Sequence, residues 1–213
     1  MSSIVVVVGT LAVLCASAFM GGVSATTNVT IYYETLCPDS QKLLVQQVIR
    51  AQNRFGSSVK FDLVPYGFAE YRLNNGELSF KCQHGPNECK GNMLHACAIS
   101  YYPSQSEDVV RFAACTMRHG TRLLDFIDEC AMIHQLSASV LRECATTKKG
   151  RELLRKMGDE TNAAAAKLFP NTRRFKFIPS TFIDGNAHVQ DSIDDLPATI
   201  CLAAVEKPKQ CTS

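Results

Sequence analysis

A chain of 213 residues is long enough for one globular domain with a sizeable core, or for one domain carrying a large insertion. Lys and Arg number 22 against 20 Asp and Glu, a net charge of +2 with the two signs mixed along the chain. That balance lacks the basic footprint of a nucleic-acid binder and leaves electrostatics naming no partner.

The apolar run from Ile4 to Met20, followed by the small residues Val23, Ser24 and Ala25, reads as a secretory signal cleaved after Ala25. Met1, Ser2 and Ser3 supply no basic side chain, so the alternative is an uncleaved anchor, although the run is short for a bilayer span. No later segment is apolar and long enough to cross a membrane. The expectation is a signal over 1–25 and a single secreted domain over 26–213. The sequon Asn28-Val29-Thr30 makes Asn28 a candidate for glycosylation.

Val29 to Tyr33 is β-branched and aromatic, which predicts a strand, and Leu36-Cys37-Pro38 then turns the chain. Pro38 suits a first helical position, and Leu43, Leu44, Gln47 and Val48 continue at helical spacing until Gly56. Val59 to Val64 alternates apolar and polar residues as a second strand, closed by Pro65-Tyr66-Gly67. From about 82 to 169 the pattern is helical, punctuated by Pro103, Gly120, Gly150 and Gly158. Within it Ser104 and Glu107 have capping-box spacing. Leu123, Phe126, Ile127 and Cys130 recur as a buried helix face, and Val140, Leu141 and Cys144 begin another helix. Phe175 to Ile178 and Ser180 to Ile183 read as strands around Pro179, with Asp184-Gly185-Asn186 as a hairpin turn. Ile193, Leu196, Ile200 and Val205 close the chain at helical spacing, Pro197 disturbing the first turn. This order predicts an α/β, thioredoxin-like fold with a disulfide-stapled helical insertion.

Cys15 leaves with the signal, so the mature chain keeps Cys37, Cys82, Cys89, Cys97, Cys115, Cys130, Cys144, Cys201 and Cys211. In an oxidising compartment the simplest reading of this odd set is four disulfides and one free thiol. With Cys37 free, the other eight allow 105 pairings, among which the sequence does not choose.

The most specific stretch runs from Cys82-Gln83-His84-Gly85 through Glu88-Cys89 and Asn92 to Cys97. It matches C-Q-H-G-x-x-E-C-x-x-N-x-x-x-x-C at every fixed position, and the chain thereby resembles the gamma-interferon-inducible lysosomal thiol reductase family. The likeness extends through Tyr32-Tyr33-Glu34, Val64-Pro65-Tyr66-Gly67, Glu143-Cys144-Ala145 and Ile178-Pro179, covering nearly all of the mature chain. Read from the residues, the three cysteines pin a loop to the helices that follow, with Gly85 permitting the turn. Zinc is the alternative, but these cysteines are farther apart than paired zinc ligands usually are, so no metal is expected. His84 and His95 then read as hydrogen-bonded or surface histidines.

Where thioredoxin-like enzymes carry C-x-x-C, this chain has Cys37-Pro38-Asp39-Ser40. A thiolate at a helix N-terminus is stabilised by exposed amides, which makes Cys37 the candidate nucleophile, while Asp39 opposes a second negative charge. The alternative is an inert, buried Cys37. Ser40 stands in place of the resolving cysteine and cannot attack a mixed disulfide. The resemblance makes Pro179 a candidate cis-proline facing Cys37; the local sequence also permits a trans proline beginning a strand. The basic runs at Lys148, Lys149, Arg151, Arg155 and Lys156 and at Arg173, Arg174 and Lys176 read as solvated faces, or as a surface for an anionic partner.

Two functions follow. One is a secreted homologue deficient in the dithiol cycle, acting mainly as a binding or regulatory protein toward an unidentified protein partner. The other is an active monothiol protein-disulfide oxidoreductase using Cys37 with an external small thiol such as glutathione. Apart from that thiol no cofactor is expected. The destination is extracellular, with the lysosome as the alternative.

Overall fold

In the computed structural model, which describes residues 26–212, the apolar positions of the first strand define the centre of the molecule. Strand β1 (Thr27–Tyr33) buries Val29, Ile31 and Tyr33 completely. It pairs in parallel with β2 (Val59–Pro65), with Ile31 opposite Leu63, and antiparallel with β5 (Ser180–Ile183), with Ile31 opposite Thr181. The sheet order is β2-β1-β5-β6, where β6 is the two-residue return Asn186–Ala187. The signal assigned to 1–25, including Cys15, lies outside the described residues.

The parallel β1–β2 connection requires a crossover, and a helix supplies it. It begins as α1 (Pro38–Lys42), widens to a π-helical segment over Leu43–Val48 and ends as α2 (Ile49–Phe55), stopped at Gly56 with φ 52°. Leu43, Leu44, Val48 and Phe55 pack with Val29, Ile31, Leu63 and Ile183 in one core. That core also takes Leu196 and Ile200 from α8 (Val189–Ala203). As Pro197 dictates, α8 is kinked, with Asp195 at φ −151° and ψ 82°. The Leu196 N–H beside the kink donates to Gln47 Oε1 at 3.3 Å, so the π-helical segment and the kink answer one another.

A hairpin that the helix and strand pattern does not announce precedes the helical region: β3 (Glu70–Asn74) and β4 (Glu77–Lys81) pair antiparallel as a separate two-stranded sheet. Its turn carries a local signal, because Asn75 and Gly76 at its tip both have positive φ, as a two-residue hairpin turn demands. Helices then fill the expected insertion: α3 (Pro86–Tyr101), α4 (Ser106–Met117), α5 (Ile127–Ile133), α6 (Ala138–Thr146) and α7 (Lys148–Leu168). Their own core gathers Leu94, Phe112, Leu123, Ile127, Leu141 and Leu153.

Among the described residues four disulfides hold this arrangement. Cys97–Cys144 joins α3 to α6, Cys115–Cys130 joins α4 to α5, Cys82–Cys89 closes the loop into α3, and Cys201–Cys211 ties α8 to the C-terminal turn. Among the described residues the free cysteine is Cys37.

Two local expectations are corrected. Ser104 and Glu107 form no capping box: residues 103–105 make a 3-10 turn, and the cap of α4 is Gln105, without a side-chain bond. Phe175 to Ile178 is not a strand. The segment bends, and Phe175 turns inward to pack against Tyr32 and Phe182 at centroid distances of 5.0 and 5.9 Å, so aromatic packing overrides strand propensity. Among the described residues no helix is long and apolar enough to cross a membrane.

Candidate active site

Cys37 is the N-cap of α1, with extended backbone (φ −67°, ψ 123°) and Pro38 at the first helical position. The residue is only 8% exposed, and its Sγ lies 3.7 Å from the carbonyl oxygen of Ile178. The Ile178–Pro179 peptide bond is cis. The sequence candidates Cys37 and Pro179, 142 positions apart, thus meet at one place because β1 and β5 are sheet neighbours. Ser40, three residues along α1, is fully buried and its Oγ accepts the Glu34 N–H at 3.3 Å. Asp39 is exposed.

The segment between β1 and Cys37 is held by the residues of the C-Q-H-G signature. Asn92 Oδ1 accepts the Thr35 N–H at 3.0 Å, and the Thr35 hydroxyl lies 2.9 Å from the same oxygen. Gly91 is required there, since a Cβ would come within 2.5 Å of Thr35 Oγ1. Gln41 Nε2 donates to Thr35 O at 3.0 Å, closing the loop from the helix side. The signature therefore works at long range: its two outer cysteines form separate staples, and Asn92 positions the backbone that precedes the thiol. All three of its cysteines are in disulfides, which removes them as zinc ligands.

Beside this loop sits a carboxyl pair. Glu34 and Glu88 are both fully buried, and His84, partly exposed, places Nδ1 2.6 Å from Glu88 Oε2 and 3.5 Å from Glu34 Oε2. Burial pushes the Glu34 carboxyl up to about 7, with the Glu88 carboxylate adding to the rise and the Phe68 amide, His84 and Arg174 opposing it. Gly67, with φ 58°, lets the loop lie directly on the Glu34 side chain, where a Cβ would collide with Cγ.

His95 has a different role from His84. It is buried, with Nδ1 2.8 Å from the Tyr33 hydroxyl and Nε2 2.8 Å from Thr116 Oγ1. The Thr116 hydroxyl donates back to the carbonyls of Phe112 and Ala113, so it must accept from Nε2–H, leaving Nδ1 to accept from Tyr33. The ring is neutral, and burial holds its ionisation down to about 3.

Sequence reasoning missed Thr35 and the roles of Glu34, Glu88 and Asn92. Glu88 and Asn92 are fixed positions of the signature, but their partners lie 53 to 57 residues away, a relation the spacing does not carry.

A family model described as gamma interferon inducible lysosomal thiol reductase (GILT) matches residues 28–134, half of the chain. The chain belongs to this family. GILT-like protein 1 of Drosophila melanogaster is 34% identical over 151 residues, 65% of this chain and 60% of the fly protein. The GILT-like protein of Anopheles gambiae is also 34% identical, over 66% of this chain and 63% of its own length. The chain thus spans less than two thirds of these two insect relatives. The Mus musculus thiol reductase of this name is 26% identical over 194 residues, 89% of this chain and 73% of that protein. Among solved structures, oxidised BdbD from Bacillus subtilis superposes with a TM-score of 0.53 at 11% identity, covering 88% of each chain. DsbA from Chlamydia trachomatis gives a TM-score of 0.52 at 13% identity, over 83% of this chain and 84% of that one. These likenesses establish the thioredoxin-like fold of this GILT-family chain.

A groove of about 590 Å³ lies between β3–β4 and the segment leading to Pro179, lined by Phe68, Lys81, Gln83, Arg174, Phe175 and Lys176 among others. The second basic run contributes to its wall: Arg174 pairs with Glu70 at 3.4 Å and lies 5.7 Å from the Phe68 ring centroid. In the first run, Lys148–Glu152 and Arg155–Asp159 form i,i+4 pairs on α7, as a solvated face would.

Proposed function

We propose that this GILT-family chain is a secreted, Asn28-glycosylated protein that has lost the dithiol reductase cycle and acts mainly by binding or regulating a protein partner. The observation that carries this reading is Ser40, buried and hydrogen-bonded to the Glu34 amide where the resolving thiol of a C-x-x-C protein would stand. A hydroxyl there is not a competent nucleophile toward a mixed disulfide. The groove between β3–β4 and the segment leading to Pro179, where Lys81, Arg174 and Lys176 outnumber Glu70 and where Phe68 and Phe175 add apolar surface, supports a partner of anionic and apolar character.

A second reading rests on Cys37, a free thiol at a helix N-cap facing the cis-proline loop. Its thiolate attacks a substrate disulfide, forming a mixed disulfide and releasing one substrate thiolate. An external thiol such as glutathione then attacks the Cys37 sulfur, releasing the second substrate thiolate and leaving Cys37 glutathionylated. A further glutathione regenerates Cys37 and leaves as glutathione disulfide, so two external thiols balance one substrate disulfide. Secretion is the preferred destination, and the lysosome is the alternative that the relatives' names suggest.

Steady-state reduction of a protein disulfide, with and without glutathione, separates the two. Equal, negligible rates for wild type and Cys37→Ala support the binding reading. Glutathione-dependent turnover lost in Cys37→Ala supports the monothiol enzyme and overturns the first.

A further inference from the structure

Glu34, His84 and Glu88 bring one donor atom each to within 4.8 Å of the others. Both carboxylates are anchored through one oxygen to a backbone amide: Glu34 Oε1 accepts from Phe68 N–H at 2.6 Å and Glu88 Oε1 from His84 N–H at 3.0 Å. The remaining oxygen of each is directed into the cluster. Glu34 Oε2 is buried without a hydrogen-bond partner, and His84 Nδ1 stands 3.5 Å away. A buried carboxylate oxygen left in this way calls for a ligand. The other two donors are held in place by the Cys82–Cys89 disulfide and by Gly85, whose φ of 90° lets the loop reverse into α3.

We propose that Glu34, His84 and Glu88 bind a single divalent transition-metal cation through two carboxylate oxygens and the imidazole Nδ1. Once both carboxyls are ionised in the bound state, their two negative charges are matched by one doubly positive ion. A nitrogen donor favours Zn²⁺ over Ca²⁺ or Mg²⁺, which prefer all-oxygen sites. The amide bonds to the second carboxylate oxygens supply the outer support that metal sites require. His84, with its side chain 32% exposed, provides the route to solvent, and the ion takes the place of the proton between Nδ1 and Glu88 Oε2. Because the Glu34 amide also holds Ser40, occupancy would stiffen the segment that presents Cys37.

The test uses untagged, metal-stripped, disulfide-intact protein carrying Cys37→Ala, so that no thiol competes, titrated with Zn²⁺ by calorimetry at neutral pH. The expected result is one Zn²⁺ per chain, with affinity falling at least about tenfold in His84→Asn and in Glu34→Gln. His119→Asn should leave binding unchanged, because the other His-containing group, Cys115–His119–Cys130, has both sulfurs in a disulfide. His84 is partly exposed, so its variant should fold; near-UV circular dichroism verifies this for both. Absence of saturable 1:1 binding by the parent, or binding that both variants retain, overturns the site.

Discussion

His95 makes a prediction about acid stability that can be isolated from every other titrating group. The neutral ring bridges Tyr33 and Thr116 inside the protein and ionises only near pH 3, whereas in the unfolded chain it protonates near 6.5. Between those values the unfolded state binds the extra proton, so stability falls as pH is lowered through 6.5 toward 3. At pH 4.5 the loss amounts to about two pH units at ~1.4 kcal/mol each, or about 3 kcal/mol. His95→Gln keeps one donor and one acceptor but does not titrate. At pH 7.5 it should be less stable than wild type by about 1–3 kcal/mol, through imperfect pairing of the Tyr33 hydroxyl. By pH 4.5 that deficit should shrink by about 3 kcal/mol or reverse. Urea unfolding of both proteins with disulfides intact measures the difference, and all shared titrations cancel. A deficit that stays constant across this range would refute the assignment of a neutral, desolvated His95.

Glu34 predicts the opposite sign. Its folded-state ionisation near pH 7 lies above the unfolded value, so its contribution is fully present below about 4.5 and lost as pH rises through 7. In chelator-treated protein, Glu34→Gln should therefore compare worst with wild type at pH 4.5 and gain on it by up to about 3 kcal/mol by pH 8, read from paired urea melts. Removing the Cys97–Cys144 bridge with a double Ala substitution opens a 47-residue loop and should cost about 4 kcal/mol, against about 3 kcal/mol for the 10-residue Cys201–Cys211 loop. Denaturation midpoints of the two double variants check that order. Gly158→Ala in α7 would ordinarily stabilise a helix, but its Cβ would lie 2.6 Å from the Tyr66 ring. A loss of about 1–3 kcal/mol is expected, seen as a lower Tm in calorimetry.

The elements with local signals were legible in the sequence. Val29 to Tyr33 is legible as a strand from its β-branched and aromatic residues and Val59 to Val64 from alternation of apolar and polar ones, and the helix after Cys37 follows from Pro38 and the spacing of Leu43, Leu44 and Val48. Cysteine parity called for one unpaired thiol, and the position of Cys37 where thioredoxin-like enzymes carry C-x-x-C singled it out, without giving the partners of the other eight. What was not legible depends on contacts between distant residues. Phe175 leaves strand geometry to join Tyr32 and Phe182, and Ser104 loses its capping role to a 3-10 turn. The signature gave its residues but not their work, because Asn92 and Glu88 act on Thr35 and Glu34 across the fold. The Asn75-Gly76 turn is a different case, a local signal masked by the polar residues around it.

The central claim, that Ser40 interrupts the dithiol cycle, is tested most directly by a single-turnover experiment. Wild type and Ser40→Cys, each with its free thiols reduced and its structural disulfides intact, are mixed with a disulfide-bonded protein substrate in the absence of any other thiol. Side chains three residues apart in the first helical turn are about 5–6 Å apart at Cβ, close enough for the introduced thiol to reach the Cys37 sulfur after small adjustment. Intact mass spectrometry should find Ser40→Cys oxidised and the substrate released with two thiols, while wild type yields no released substrate and at most a covalent adduct through Cys37. Release of fully reduced substrate by wild type under these conditions would contradict the account.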